Sequence, residues 1–167
     1  PGLMPNRRTR QLVLRLIRQT RGKPLVLDAG ALRVLNPSQL TGDCIVTPHA
    51  GEFRALFRCA PIPQHAQQLS RRYPAVIVLK GAVSYVAQGG RLFYNTTGNA
   101  GLTKGGTGDV LAGLIAALAT SNNLLAAAKT GVYVNGLAGD RLYKKFGYYY
   151  SASELIGEAR KYLEKYS

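Results

Sequence analysis

Apolar positions in this chain come in short runs separated by polar, glycine-rich or proline-bearing stretches. Residues 7–21 place Leu12, Val13, Leu16 and Ile17 on one stripe with arginines elsewhere, the signature of an amphipathic helix with a basic outer face. Gly22 stops it. Pro24 to Asp28 is a short apolar run ending in a carboxylate and reads as a buried parallel strand. A helical turn is predicted over 31–35 and a strand over 44–47, closed by Pro48. Helices are predicted over 51–58 and 64–73. Ala75 to Lys80, AVIVLK, is the strongest strand. Residues 84–87 and 91–95 flank Gly89-Gly90 as a hairpin with a glycine turn.

The pattern changes after Gly108. Residues 110–120 are small and apolar, a buried helix. Residues 124–146 form a long helical stretch containing Gly131, Gly136 and Gly139. Each glycine there costs about 1 kcal/mol against alanine, so close helix packing is expected. Ser151 with Glu154 fits a capping box opening a last helix. Strands alternating with helices predict one α/β domain over 1–167 with a mainly parallel sheet.

Composition narrows the chemistry. The chain has 167 residues, 22 basic and 8 acidic, a net charge of +14 that favours anionic partners. Six of the arginines (Arg7, Arg8, Arg10, Arg15, Arg18 and Arg21) crowd the first helix. No nucleic-acid motif and no interleaved stacking aromatics accompany them, so a nucleic-acid module ranks last among the readings. Cys44 and Cys59 lack disulfide or metal-ligand spacing and read as free thiols. No run approaches a membrane span, and a soluble cytoplasmic protein is expected. Tyr148, Tyr149 and Tyr150 read as a packed or interface run.

The richest segment is 98–113, GNAGLTKGGTGDVLAG. A glycine-rich loop running into an apolar helix exposes backbone N–H groups at the positive end of the helix dipole, a ready anion site. Lys104 adds a positive charge beside it. Asp109, in the first helical turn, has two readings. It stabilises the helix end, or it takes a proton from a hydroxyl attacking a phosphoryl group. Neither a Walker A loop nor a Rossmann fingerprint fits the spacing.

This segment resembles the signature of the ribokinase-like NAD(P)H-hydrate dehydratases. VLDAGAL (26–32), TPHAGEF (47–53), KGAVS (80–84) and GVYVNGLAGD (131–140) resemble further family segments in the same order. The resemblance implies a three-layer α/β/α ribokinase-like fold. It also implies a lyase that phosphorylates the ring hydroxyl of hydrated NADH or NADPH and eliminates phosphate. ADP, in preference to ATP, would be the co-substrate, with Mg²⁺. Asp109 would be the base. Gly105, Gly106, Thr107 and Gly108 would form the anion hole. Lys80, Gly81, Ala82, Val83, Ser84 and Gly108 would hold the nucleotide, and Gly2, His49 and Asp109 the hydrated dinucleotide. Asp28, Glu52, Asn99 and Lys104 are further candidates. On spacing alone His49, Glu52 and Lys80 also fit ordinary structural roles.

The sequence departs from the family pattern at Gly30, in place of a second aspartate, at Lys104, and at Ala100, in place of a frequent proline. It also matches only the later part of the family domain, so N-terminal strands, a covered sheet edge or a homo-oligomer are expected to complete it. The alternatives are a ribokinase-like small-molecule kinase and an inactive relative.

Overall fold

The computed structural model describes residues 3–164. The elements are α1 (Arg7–Gln19), β1 (Leu25–Leu27), β2 (Cys44–Val46), α2 (Ala50–Phe57), α3 (Pro63–Arg72), β3 (Val76–Leu79), β4 (Ser84–Gln88), β5 (Arg91–Asn95), α4 (Thr107–Ala119), α5 (Leu124–Phe146) and α6 (Ala152–Glu164). Short 3₁₀ turns occupy Ala29–Val34, Pro37–Gln39 and Ala100–Thr103.

The sheet order is β1-β2-β3-β4-β5. β1, β2 and β3 pair in parallel, and β4 is antiparallel to both β3 and β5. Four strands therefore run one way and one runs back. The hairpin turn needs positive φ twice, which Gly89 (57°) and Gly90 (81°) supply. Ser70 of α3 accepts both of their amides, pinning the turn.

Strand alternation builds three layers. Val46, Ile77, Leu79 and Ala87 face a core with Val13, Ile17, Leu32, Phe53 and Leu56 from α1, the first 3₁₀ turn and α2. Ile45, Val76, Val78 and Val86 face α4 and α5 through Leu111, Ile115, Ala128 and Val132. Burying each such Val or Ile contributes about 1.5–3 kcal/mol. α6 packs on α4 and α5, where Leu142, Tyr150 and Leu155 close a third cluster.

The glycines of α5 are contact points, as expected. A Cβ at Gly131 would meet Ile115, one at Gly136 would meet Thr97, and one at Gly139 would meet Leu102. The capping box of α6 forms, with Ser151 N donating to Glu154 Oε2 at 2.7 Å and Glu154 N to Ser151 Oγ at 3.2 Å. The stripe on α1 differs from the expectation. Thr9, Val13 and Ile17, spaced by four, are buried, whereas Leu12 and Leu16 are exposed because that row turns them off the core. β1, expected to be buried, pairs only with β2 among the described residues, and Leu25 and Val26 are half-buried. Both cysteines are free thiols, Cys44 buried and Cys59 half-buried. Burial raises the Cys59 thiol pKa. Among the described residues no helix is long and apolar enough to cross a membrane.

Candidate active site

The candidate residues gather at the carboxyl ends of β1, β2 and β3, where open α/β sheets bind ligands. Asp28 follows β1, His49 follows β2 and Lys80 follows β3. Thr47 N donates to Leu27 O at 3.2 Å, and Lys80 N to Pro48 O at 2.9 Å, so the three strand exits are locked side by side. His49 and Lys80 form a parallel bridge. Lys80 Nζ reaches across to Asp28 Oδ1 at 2.9 Å, with the Asp28 side chain only 5% exposed. Ala29 turns the chain just beyond Asp28 with a left-handed φ of 53°.

The first turn of α4 lies over this pair. A Cβ at Gly108 would sit 3.5 Å from Lys80 Nζ and 3.7 Å from Asp28 Oδ2. Glycine there lets backbone and ligand approach the ion pair closely. Gly106 begins the helix at φ 89° with no side-chain cap. The amides of Gly105, Gly106 and Gly108 have no acceptor within the described residues, so they are free to bind an anion. Thr107 differs from the other three. It is buried, its amide donates to Lys104 O at 3.3 Å, and its hydroxyl contacts Leu102 O and Lys104 O at 2.6 and 2.7 Å. Thr107 therefore shapes the loop from inside. Asp109 is exposed in the same helical turn and borders a groove of about 480 Å³ between α4 and α6. Val110, Leu114, Ile156 and Leu163 line that groove.

His49 is the N-cap of α2. Its Nδ1 accepts from Gly51 N at 3.0 Å and Glu52 N at 3.4 Å, which fixes the neutral tautomer with the proton on Nε2. Buried Glu52 accepts from His49 N at 3.0 Å and lies 3.4 Å from His49 Nε2. Glu52 thus holds the half-exposed imidazole in place. Gly51 is needed beside it, since a Cβ there would come within 2.9 Å of His49 Cε1.

Gly81 and Ala82 are exposed in the β3–β4 connection, followed by half-buried Val83 and Ser84. Ser84 Oγ donates to Gly81 O at 3.4 Å. Gly2 lies outside the described residues. Lys104, the positive charge beside the glycine loop, is itself engaged. Its ammonium donates to the carbonyls of Tyr148 and Tyr150 and sits 5.0 Å from the Tyr150 ring. Gly30 has a steric reason. The Leu3 carbonyl lies against it, and any Cβ would collide with that backbone. Asn99 bonds to Asp140 and Tyr150. Asp140, the last residue of GVYVNGLAGD and the only carboxylate of α5, is a functional candidate that the motif alone does not single out. Thr47, the first residue of TPHAGEF, has a fully buried hydroxyl just after β2 with no hydrogen-bond partner among the described residues.

A family model described as NAD(P)H-hydrate dehydratase matches residues 1–161. The chain belongs to that family. It is 38% identical over 179 residues to the bifunctional NAD(P)H-hydrate repair enzyme of Pyrobaculum aerophilum, covering 100% of this chain and 35% of that protein. It is 39% identical to the ADP-dependent (S)-NAD(P)H-hydrate dehydratase of Cenarchaeum symbiosum, covering 77% of this chain and 48% of the relative. Among solved structures, the ADP/ATP-dependent NAD(P)H-hydrate dehydratase of Bacillus subtilis superposes with TM-score 0.84 at 29% identity. A ribokinase-like superfamily protein of Enterococcus faecalis superposes with TM-score 0.81 at 26%. This chain is covered completely in both, against 64% and 62% of theirs. The dehydratase fold is therefore ribokinase-like, and the chain spans about a third to a half of the curated relatives cited here.

Proposed function

We propose that this chain carries the phosphoryl-transfer site of a nucleotide-dependent NAD(P)H-hydrate dehydratase. The observation that carries the reading is the uncapped start of α4. Three free glycine amides, from Gly105 to Gly108, lead into the first turn of α4 that carries the Asp109 carboxylate, with Gly108 set close to the Lys80–Asp28 pair.

In this reading the ring hydroxyl of the hydrated dinucleotide attacks the terminal phosphoryl of an adenine nucleotide. Asp109 accepts the hydroxyl proton as the new P–O bond forms and the bond to the departing nucleotide breaks. The amides of Gly105, Gly106 and Gly108 hold the negative charge spread over the phosphoryl oxygens. The phosphate then leaves with the C–O electron pair, a ring proton is lost, and the ring double bond returns. With ADP the products are NAD(P)H, AMP and phosphate. Lys80 supplies positive charge beneath the phosphates, and Asp28 fixes its direction. His49, with Nε2 bearing the proton, offers a donor toward the dinucleotide. Residues 81–84, from the exposed Gly81 and Ala82 to the start of β4, border the nucleotide.

Mg²⁺ fits this site as a nucleotide-borne ion. No group of three metal-ligating side chains exists among the described residues, and Mg²⁺ usually keeps its waters and binds through phosphates and one or two carboxylates. Asp109 would be the carboxylate available to it, and the ion, when bound, would neutralise phosphate charge.

The test is Asp109→Asn. Dehydration should fall by about 10²–10⁴-fold, the usual share of a general base, with nucleotide affinity largely kept. Unchanged turnover would remove Asp109 from the mechanism.

A further inference from the structure

The glycine loop must hold its amides in one direction, yet glycines alone do not fix a backbone. The loop is held through two of its own polar side chains, Asn99 and Lys104, and through Asp140 and Tyr150 outside it. Asp140 of α5 accepts from Gly98 N at 2.9 Å through Oδ2 and from Asn99 Nδ2 at 3.0 Å through Oδ1. Asn99 Oδ1 in turn accepts from Gly101 N at 2.9 Å and from the Tyr150 hydroxyl at 3.0 Å. Lys104 closes the circuit by donating to the Tyr148 and Tyr150 carbonyls. Tyr150 is 1% exposed and lies so close to Gly101 that no Cβ fits between them. The loop is thus fastened at 98–99 to Asp140 of α5 and to Tyr150, and at 104 to the segment that joins α5 to α6.

We infer that Asp140, Tyr150 and Lys104 are positioning residues. They form a brace that presets the free amides of Gly105, Gly106 and Gly108 for a phosphoryl group. The inference deepens the proposed function and rests on that reading of the loop. It assigns Lys104 to the brace instead of to the phosphate. Charge-assisted bonds from two donors to one carboxylate make Asp140 the strongest tie.

Hydrogen exchange of the unliganded chain, read by mass spectrometry, and titration with ADP and Mg²⁺ test it together. In Asp140→Asn, peptides covering 98–108 should exchange about tenfold faster, with those of β2 and β3 unchanged. The ADP dissociation constant should rise by about tenfold, the size of one such lost hydrogen bond. Tyr150→Phe keeps the ring and removes only the hydroxyl, and should shift both readouts in the same direction by less. It decides the matter if Asp140→Asn does not fold. Lys104→Met should also speed exchange over 98–108. Unchanged exchange there in all three variants, or faster exchange spread evenly over the chain, would overturn the brace. Weaker ADP binding by Lys104→Met with unaltered exchange would return that lysine to the phosphate. If the unmodified chain bound neither ADP nor ATP, the phosphoryl reading would fail, while local exchange would still decide the brace.

Discussion

Single glycines shape the candidate site and the packing around it, each through one geometric demand. Gly106 must adopt φ 89°, and a Cβ there would press within 3.1 Å of Ala152. Gly106→Val should therefore cost about 1–3 kcal/mol in stability and weaken nucleotide binding, read by urea unfolding and by titration with ADP. Gly136 answers to packing alone. Gly136→Ala drives a methyl into Thr97 and should destabilise by about 1–3 kcal/mol in the same unfolding assay, without a left-handed φ to blame. Much of this scale was readable beforehand. The glycines of α5 announced close packing, and GTGD announced a helix start whose glycine amides are left unpaired among the described residues. Tertiary partners were not readable. Nothing local to Lys104 says that its ammonium meets carbonyls 44 and 46 residues away, and nothing near Gly30 shows that Leu3 lies against it.

Helices and strands act here as holders. α5 and α6 are clamped by Glu158, whose carboxylate is 3% exposed and faces Arg141, Lys145 and Lys161. Arg141 Nε lies 2.9 Å from Oε1 as an ion pair without hydrogen-bond geometry, while Lys161 donates to Oε2 at 3.0 Å. Burial pushes the Glu158 pKa up. The Lys161 hydrogen bond and the three nearby cations outweigh that, leaving it below the ordinary 4.5. A lowered folded-state pKa gives stability that is present above the unfolded value and lost as pH falls through the folded one. Thermal unfolding should thus show a loss of stability as pH drops below about 4.5. That loss should be smaller in Glu158→Gln, which starts from a lower stability at neutral pH. Element type was legible from period and punctuation, down to the Ser151–Glu154 cap. The face of α1 was not, because two rows compete on that helix and the 3₁₀ turn it packs against decides between 9/13/17 and 12/16.

At the scale of the molecule, the site sits where the sheet's parallel strands end and α4 begins, an arrangement that follows from topology more than from any motif. The net charge of +14 is spread differently. Arg7, Arg8, Arg10, Arg15, Arg18 and Arg21 are all exposed, and none has an ion-pair partner among the described residues. α1 contacts the 3₁₀ turn after β1, and its basic face is turned to solvent. Replacing Arg8, Arg15 and Arg18 together by Gln should leave kcat/KM within about twofold, since exposed charges contribute little to a packed site. A collapse of turnover in that variant would place the basic face in substrate capture.

The most direct test of the account is recovery of NADH absorbance from hydrated NADH, with this chain, Mg²⁺ and either ADP or ATP. The predicted result is NADH appearing together with equimolar phosphate, and with AMP when ADP is the donor. A stable phosphorylated product in place of NADH, or no NADH from a chain that binds nucleotide, would contradict it.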